Sequence, residues 1–150
     1  RSTGYQVRFI EYMPMDNGGQ WSRRRVVTSD EILERMASVG TLVCDDTIDP
    51  SDPARIYRFA DGRGEIGVIS PVSRCFCRHC DRLRITADGK IRACLFAESE
   101  DDLMSLLRGG ADDDALAALL WRAVLGKGER HRIGCGDSPL PARRMSAVGG

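Results

Sequence analysis

The 150-residue sequence contains no apolar run approaching the roughly 20 residues a membrane-spanning helix needs. It has no net charge, with 22 Lys and Arg set against 22 Asp and Glu. Bulk electrostatics therefore point to no nucleic acid or other polyanionic partner. Aromatic residues are scarce at 6%, and there are two histidines. No internal repeat and no low-complexity tract is visible. The chain opens on Arg1 with no charged-then-apolar leader, which reads as a start inside a longer protein rather than a secretory signal.

Against these absences stand six cysteines: Cys44, Cys75, Cys77, Cys80, Cys94 and Cys135. Three of them crowd one stretch, and closely spaced Cys-x-x-Cys pairs more often serve metal or redox chemistry than disulfides. The expected compartment is the reducing cytoplasm. Charge is also uneven. Arg74, Arg78, Arg82, Arg84, Lys90 and Arg92 gather around the cysteines, leaving room for a local phosphate site in a chain of zero net charge.

Local patterning predicts an α+β protein. Residues 6–12 alternate as a strand, and 13–25 read as a loop. Thr28 with Glu31 forms a capping box opening a helix to about Val39. Residues 41–44 read as a short strand, 55–60 and 65–69 as a hairpin, and 70–81 as a cysteine loop. A second hairpin joins 82–86 to 90–96. Ser99 is the expected cap of a short helix ending at Gly109-Gly110. Residues 112–125 form a helix with Leu116, Leu119, Leu120 and Ala123 on its core stripe. Residues 127–150 read as an irregular tail.

The second hairpin has two plausible registers. A two-residue Asp88-Gly89 turn mixes apolar and charged residues on both faces. A type I turn with Gly89 left-handed sets Thr86 opposite Lys90, Ile85 opposite Ile91 and Leu83 opposite Ala93, making one face apolar. The pattern selects this register. The other face then carries Arg82, Arg84, Arg92 and Cys94, with Cys80 at the strand entrance.

Cys77-x2-Cys80, then thirteen intervening residues and Cys94, offers three thiolates to zinc or to an iron–sulfur cluster. Zinc would need a fourth ligand, from Cys75, Cys135, His79 or His131. A cubane cluster on three cysteines leaves one iron open to a substrate. Spacing alone does not separate them. Cys44 and Cys135 read as spectators, and Arg23 to Arg25 as a solvated run.

The stretch from Phe76 to Phe96 (FCRHCDRLRITADGKIRACLF) resembles the C-terminal cluster motif of the molybdenum cofactor biosynthesis protein A family, radical SAM enzymes that cyclise GTP. Residues 8–14 (RFIEYMP), 64–71 (GEIGVISP) and 145–150 (MSAVGG) resemble further blocks of that family, in order. The family's Cys-x3-Cys-x2-Cys motif for SAM cleavage is missing, so the resemblance is to the C-terminal portion. Asp81 stands where the family usually has Asn.

The resemblance implies that residues 1–25 end an incomplete TIM-type barrel. Residues 26–150 would form an iron–sulfur domain with antiparallel hairpins, two or three helices and a flexible tail from about 127. It implies that Cys77, Cys80 and Cys94 ligate a [4Fe-4S] cluster whose open iron meets GTP. Arg82 and Arg84 would hold the triphosphate. Arg8 and Met13 would lie on the S-adenosyl-L-methionine side, and Gly149 and Gly150 would line the active site. The full-length activity implied is that of a GTP 3',8-cyclase making 3',8-cyclo-7,8-dihydro-GTP. The expected partners are the missing N-terminal radical SAM domain, a downstream pyranopterin-forming enzyme and a second copy in a homodimer. The chain alone would not cleave SAM. The rival reading is a non-catalytic zinc-binding module for nucleic acid or protein.

Overall fold

The computed structural model describes residues 4–15, 19–133, 143 and 145–148. These fall into two compact units. One takes the chain up to Met13 together with Trp21–Cys80; the other takes Pro14–Gln20 and the chain from Asp81 onward. Both mix helix with sheet, as the sequence predicts. Among the described residues no helix is long and apolar enough to cross a membrane.

The first unit is built on a four-stranded sheet of order β1-β4-β3-β2. Its strands are β1 (Val7–Ile10), β2 (Leu42–Cys44), β3 (Ala54–Phe59) and β4 (Glu65–Ile69). Helix α1 (Ser29–Ala37) lies on one face. There Ile32 packs with Phe59, Ile66 and Val68, and Phe9, Leu33, Met36 and Leu42 close the cluster. Helix α1 begins where predicted because its capping box is complete. Thr28 Oγ1 accepts from the Glu31 amide, while a Glu31 carboxylate oxygen accepts from the Thr28 amide at 2.8 Å. It ends at Ala37 with Ser38 as cap, slightly short of the predicted Val39.

The β3–β4 hairpin turns through residues 60–64, as the alternating patterns require, and β2 pairs antiparallel with β3. The sequence did not reveal that β1 joins β4 in parallel, with Val7 opposite Ile66 and Ile10 opposite Ile69. Gly67 sits inside this sheet for a steric reason. A Cβ there would lie 3.1 Å from Arg8 Cγ, so glycine lets the Arg8 stem cross the strand.

In the second unit, β5 (Arg84–Ile85), β6 (Lys90–Arg92) and β7 (Asp101–Asp102) form an antiparallel sheet. Ile85 faces Ile91, Arg84 faces Arg92, and Thr86 pairs with Lys90 through a 2.9 Å bond from its amide. The register chosen from the sequence is the one observed, and Gly89 takes the left-handed conformation at φ 75°. The core here joins Ile91 of β6 to Leu119 and Ala123 of helix α3 (Asp113–Leu125), with Leu103 and Leu106 of helix α2 (Leu103–Arg108) packed against them.

Three local expectations need correction. The strands of this hairpin are shorter than 82–86 and 90–96, because the chain bends at Ala93 and Cys94. The apolar face is complete only at β6: Ile91 is buried, but Ile85 on the edge strand is exposed. The cap of α2 is Asp102, whose carboxylate accepts from the Ser105 amide at 2.9 Å, and not Ser99. The acidic run here also supplies β7, a pairing that its propensities disfavour and that β6 imposes.

Candidate functional site

In the first unit the cysteine loop leaves β4 and tightens into a 3-10 turn over Cys77–His79. The Cys80 amide donates to the Cys77 carbonyl at 3.1 Å, and the His79 amide to the Phe76 carbonyl. This single turn brings the half-buried Cys77 and Cys80 side chains onto one short segment, as two spaced ligands require. Both are free thiols, as are Cys44, Cys75 and Cys94. Cys44 stands apart chemically. Burial, then a hydrogen bond with Asp46, pushes its thiol up, so it gives thiolate less readily, which fits a spectator. Cys135 lies outside the described residues.

An open cavity of about 500 Å³ lies in the same unit, beside the cysteine loop. Cys75, Arg74, Arg78 and His79 line it, and β3 contributes Arg55 and Tyr57. The last two went unnoticed in the sequence, although their alternate spacing on β3 puts them on one sheet face. Arg74 is already engaged, 2.6 Å from Asp30.

Arg8 is exposed, and its Nε donates to Gln6 Oε1 at 2.6 Å. Met13 follows β1 and is half-buried. Between them sits the largest omission of the sequence reading, Glu11. It is 1% exposed. Its carboxylate accepts from the Ser29 amide at 2.8 Å, the Val72 amide at 2.8 Å and the Ser73 amide at 2.9 Å, and from the Ser73 hydroxyl. A buried carboxylate survives only with such a full set of donors, and it also sits at the positive end of α1. The one available signal was an acid interrupting an otherwise apolar strand end. Its partners lie too far along the chain for any local pattern.

In the second unit, Cys94 follows β6 on a bend and is half-buried. The Phe96 amide points at its sulfur, 3.4 Å away. Phe96 also packs edge-on against His131, with ring centroids 5.0 Å apart. His131 Nδ1 accepts from the Ile133 amide at 3.3 Å, a structural use of the ring.

Arg82 and Arg84 are both half-buried. The Arg82 carbonyl accepts from Lys127 Nζ at 2.9 Å. Arg84 Nη1 donates to the Val148 carbonyl at 3.3 Å, and Val148 itself is fully buried. Gly149 and Gly150 lie outside the described residues. Arg92, read as part of the same cationic face, is used otherwise. It is 3% exposed and pairs with Glu100, while its Nη2 donates to the Ala97 carbonyl at 2.5 Å. Glu100 also meets Arg143, whose guanidinium forks onto Asp88 at 3.0 and 2.9 Å. Arg92 therefore shapes the segment carrying Cys94 instead of facing a ligand. Its Nε is buried without a partner among the described residues.

Cys77 and Cys80, free thiols on one tight turn of the first unit, are the kind of donors a thiolate-bound metal group uses, and Cys94 is a free thiol of the second unit. The family described as Molybdenum Cofactor Synthesis C matches residues 5–133. A protein named GTP 3',8-cyclase from Mycobacterium sp. (strain KMS) is 47% identical over 148 residues. GTP 3',8-cyclase 2 of Mycobacterium tuberculosis (strain ATCC 25618 / H37Rv) is 46% identical over 152 residues, and a GTP 3',8-cyclase of Rhodococcus opacus (strain B4) is 42% identical over 147. Each alignment covers 98% of this chain but 42% of the relative. The chain thus spans about two-fifths of the length of these relatives. With the family match running through both cysteine segments and the arginine hairpin, the chain belongs to the Molybdenum Cofactor Synthesis C family.

Proposed function

We propose that this chain is the cluster- and GTP-binding part of a radical SAM GTP 3',8-cyclase. Cys77, Cys80 and Cys94 are the proposed ligands of a [4Fe-4S] cluster. When bound, the cluster supplies an open iron that acts as a Lewis acid towards the guanine base. Arg82 and Arg84 hold the triphosphate, because a guanidinium grips phosphate oxygens with two parallel bonds. Arg8 and Met13 face the S-adenosyl-L-methionine side, and Gly149 and Gly150 line the cavity from the tail. In this reading residues 1–25 end a radical SAM barrel completed by sequence outside this chain, and without it the chain does not cleave SAM. The product passes to a pyranopterin-forming enzyme.

The observation that carries the reading is the bond from Arg84 to Val148. It ties the strand assigned to phosphate to the tail assigned to the active site. The names of the relatives point the same way.

The test is metal content. Each of Cys77, Cys80, Cys94 and Cys44 is replaced by Ser in the full-length protein, which is purified and reconstituted without oxygen. The expected result is brown protein with iron and sulfide that only the first three variants lose. Colourless protein holding about one zinc per chain would establish the zinc module instead. Retention of iron by Cys94→Ser would remove Cys94 from the ligand set.

A further inference from the structure

Building on the assignment of Cys77 and Cys80 as ligands, we infer that Glu11 is a positioning residue that fixes the cysteine loop to the end of β1. Its carboxylate joins three segments. Oε1 accepts from the Ser29 amide, at the first turn of α1, and from the Ser73 hydroxyl. Oε2 accepts from the amides of Val72 and Ser73, where the loop leaves β4. The Glu11 amide donates to the Ile69 carbonyl at 3.1 Å, extending the parallel ladder one step past β1. A bond between the Ser29 and Ser73 hydroxyls, 3.0 Å apart, closes the group.

The location gives this cluster a role beyond holding the fold. Ser73 precedes Cys77 by four residues, and past the 3-10 turn the loop has no helix or strand to hold it. The next two residues after Glu11 are Tyr12 and Met13, the segment assigned to the SAM side. One buried carboxylate thus anchors the entry to the two-cysteine turn and the exit from β1. Two acceptor oxygens are required. The three amides can only donate, so a side-chain amide at position 11 would present its own N–H to at least one of them.

The experiment uses the full-length protein carrying Glu11→Gln or Ser73→Ala, with circular dichroism to check folding. In metal-free protein, alkylation rates of Cys77 and Cys80 are followed by mass spectrometry, with Cys94 as the reference thiol. Releasing the loop should speed Cys77 and Cys80 about tenfold in Glu11→Gln and by less in Ser73→Ala, leaving Cys94 unchanged. Iron bound after anaerobic reconstitution should fall at least about twofold in Glu11→Gln, in step with the thiol rates. Unchanged rates at Cys77 and Cys80 overturn the inference. So does equal acceleration of Cys94, which marks general loosening. If Glu11→Gln does not fold, Ser73→Ala decides by the same comparison of thiols. Because the alkylation is read without metal, it judges Glu11 even if Cys77→Ser retains iron and the ligand assignment fails.

Discussion

Substituting Gly89 should damage the arginine hairpin for two reasons that can be measured apart. At φ 75° an L side chain costs about 1–2 kcal/mol. A Cβ at Gly89 would also stand 2.7 Å from Met104 Cβ and 2.8 Å from Met104 Cε. The Cε can swing away, but the Met104 Cβ moves only with its backbone. That backbone is held, since the Met104 amide donates to the Gly89 carbonyl at 3.0 Å. Overpacking of this kind costs about 1–3 kcal/mol, so Gly89→Ala should lose roughly 2–5 kcal/mol in urea unfolding. Gly62 is the natural control. It has nearly the same φ, 72°, with nothing within 4 Å of an added Cβ, so Gly62→Ala should lose only the conformational part. Asn tolerates the left-handed region, so Gly62→Asn should cost little while Gly89→Asn keeps the overpacking cost of about 1–3 kcal/mol. Removing the Met104 tip as well, in Gly89→Ala with Met104→Ala, should recover at most a small part. If Gly89→Asn matches the wild type, the close approach to Met104 has no energetic weight and the reasoning fails.

Two more predictions concern charge. Arg84→Ala in cluster-loaded, full-length protein should weaken GTP about tenfold or more and guanosine far less, with Arg84→Lys recovering part; equal losses for both ligands would assign Arg84 to the fold. The Arg143 fork holds the Asp88 carboxyl well below the usual carboxylate range. A depressed folded-state value gives stability that is complete above the unfolded value of about 3.9 and drains as pH falls below it. Arg143→Ala should return Asp88 towards the ordinary range in an NMR titration and narrow its stability gap to wild type below about pH 4; an unmoved Asp88 titration would refute the pairing.

What the sequence could reveal followed the range of each interaction. The Thr28–Glu31 capping box spans three residues, and it set the start of α1 correctly. The hairpin register was legible because one face had to bury Ile91, leaving Arg84 opposite Arg92. The same logic misjudged Arg92, because pairing fixes which face a side chain starts from but not what Glu100 does with it. The cap of α2 was misplaced by three residues because three favoured caps, Ser99, Asp101 and Asp102, lie within four positions and the local rule does not choose among them. Glu11 was invisible for a different reason. Its donors lie 18, 61 and 62 residues away, and nothing near it in the chain requires a buried charge.

The parallel pairing of β1 with β4 also governs how the first unit assembles. β3 and β4 meet across a five-residue turn and can form early, whereas β1 must wait until a chain of about 60 residues closes back on it. During synthesis the edge of Val7 to Ile10 that pairs with β4 therefore leaves the ribosome without that partner. It stays so until Glu65 to Ile69 emerge. The donors that receive the Glu11 carboxylate at Val72 and Ser73 arrive only a few residues later. Burial of the Glu11 carboxylate and the pairing of β1 with β4 are then coupled late steps in the folding of this unit.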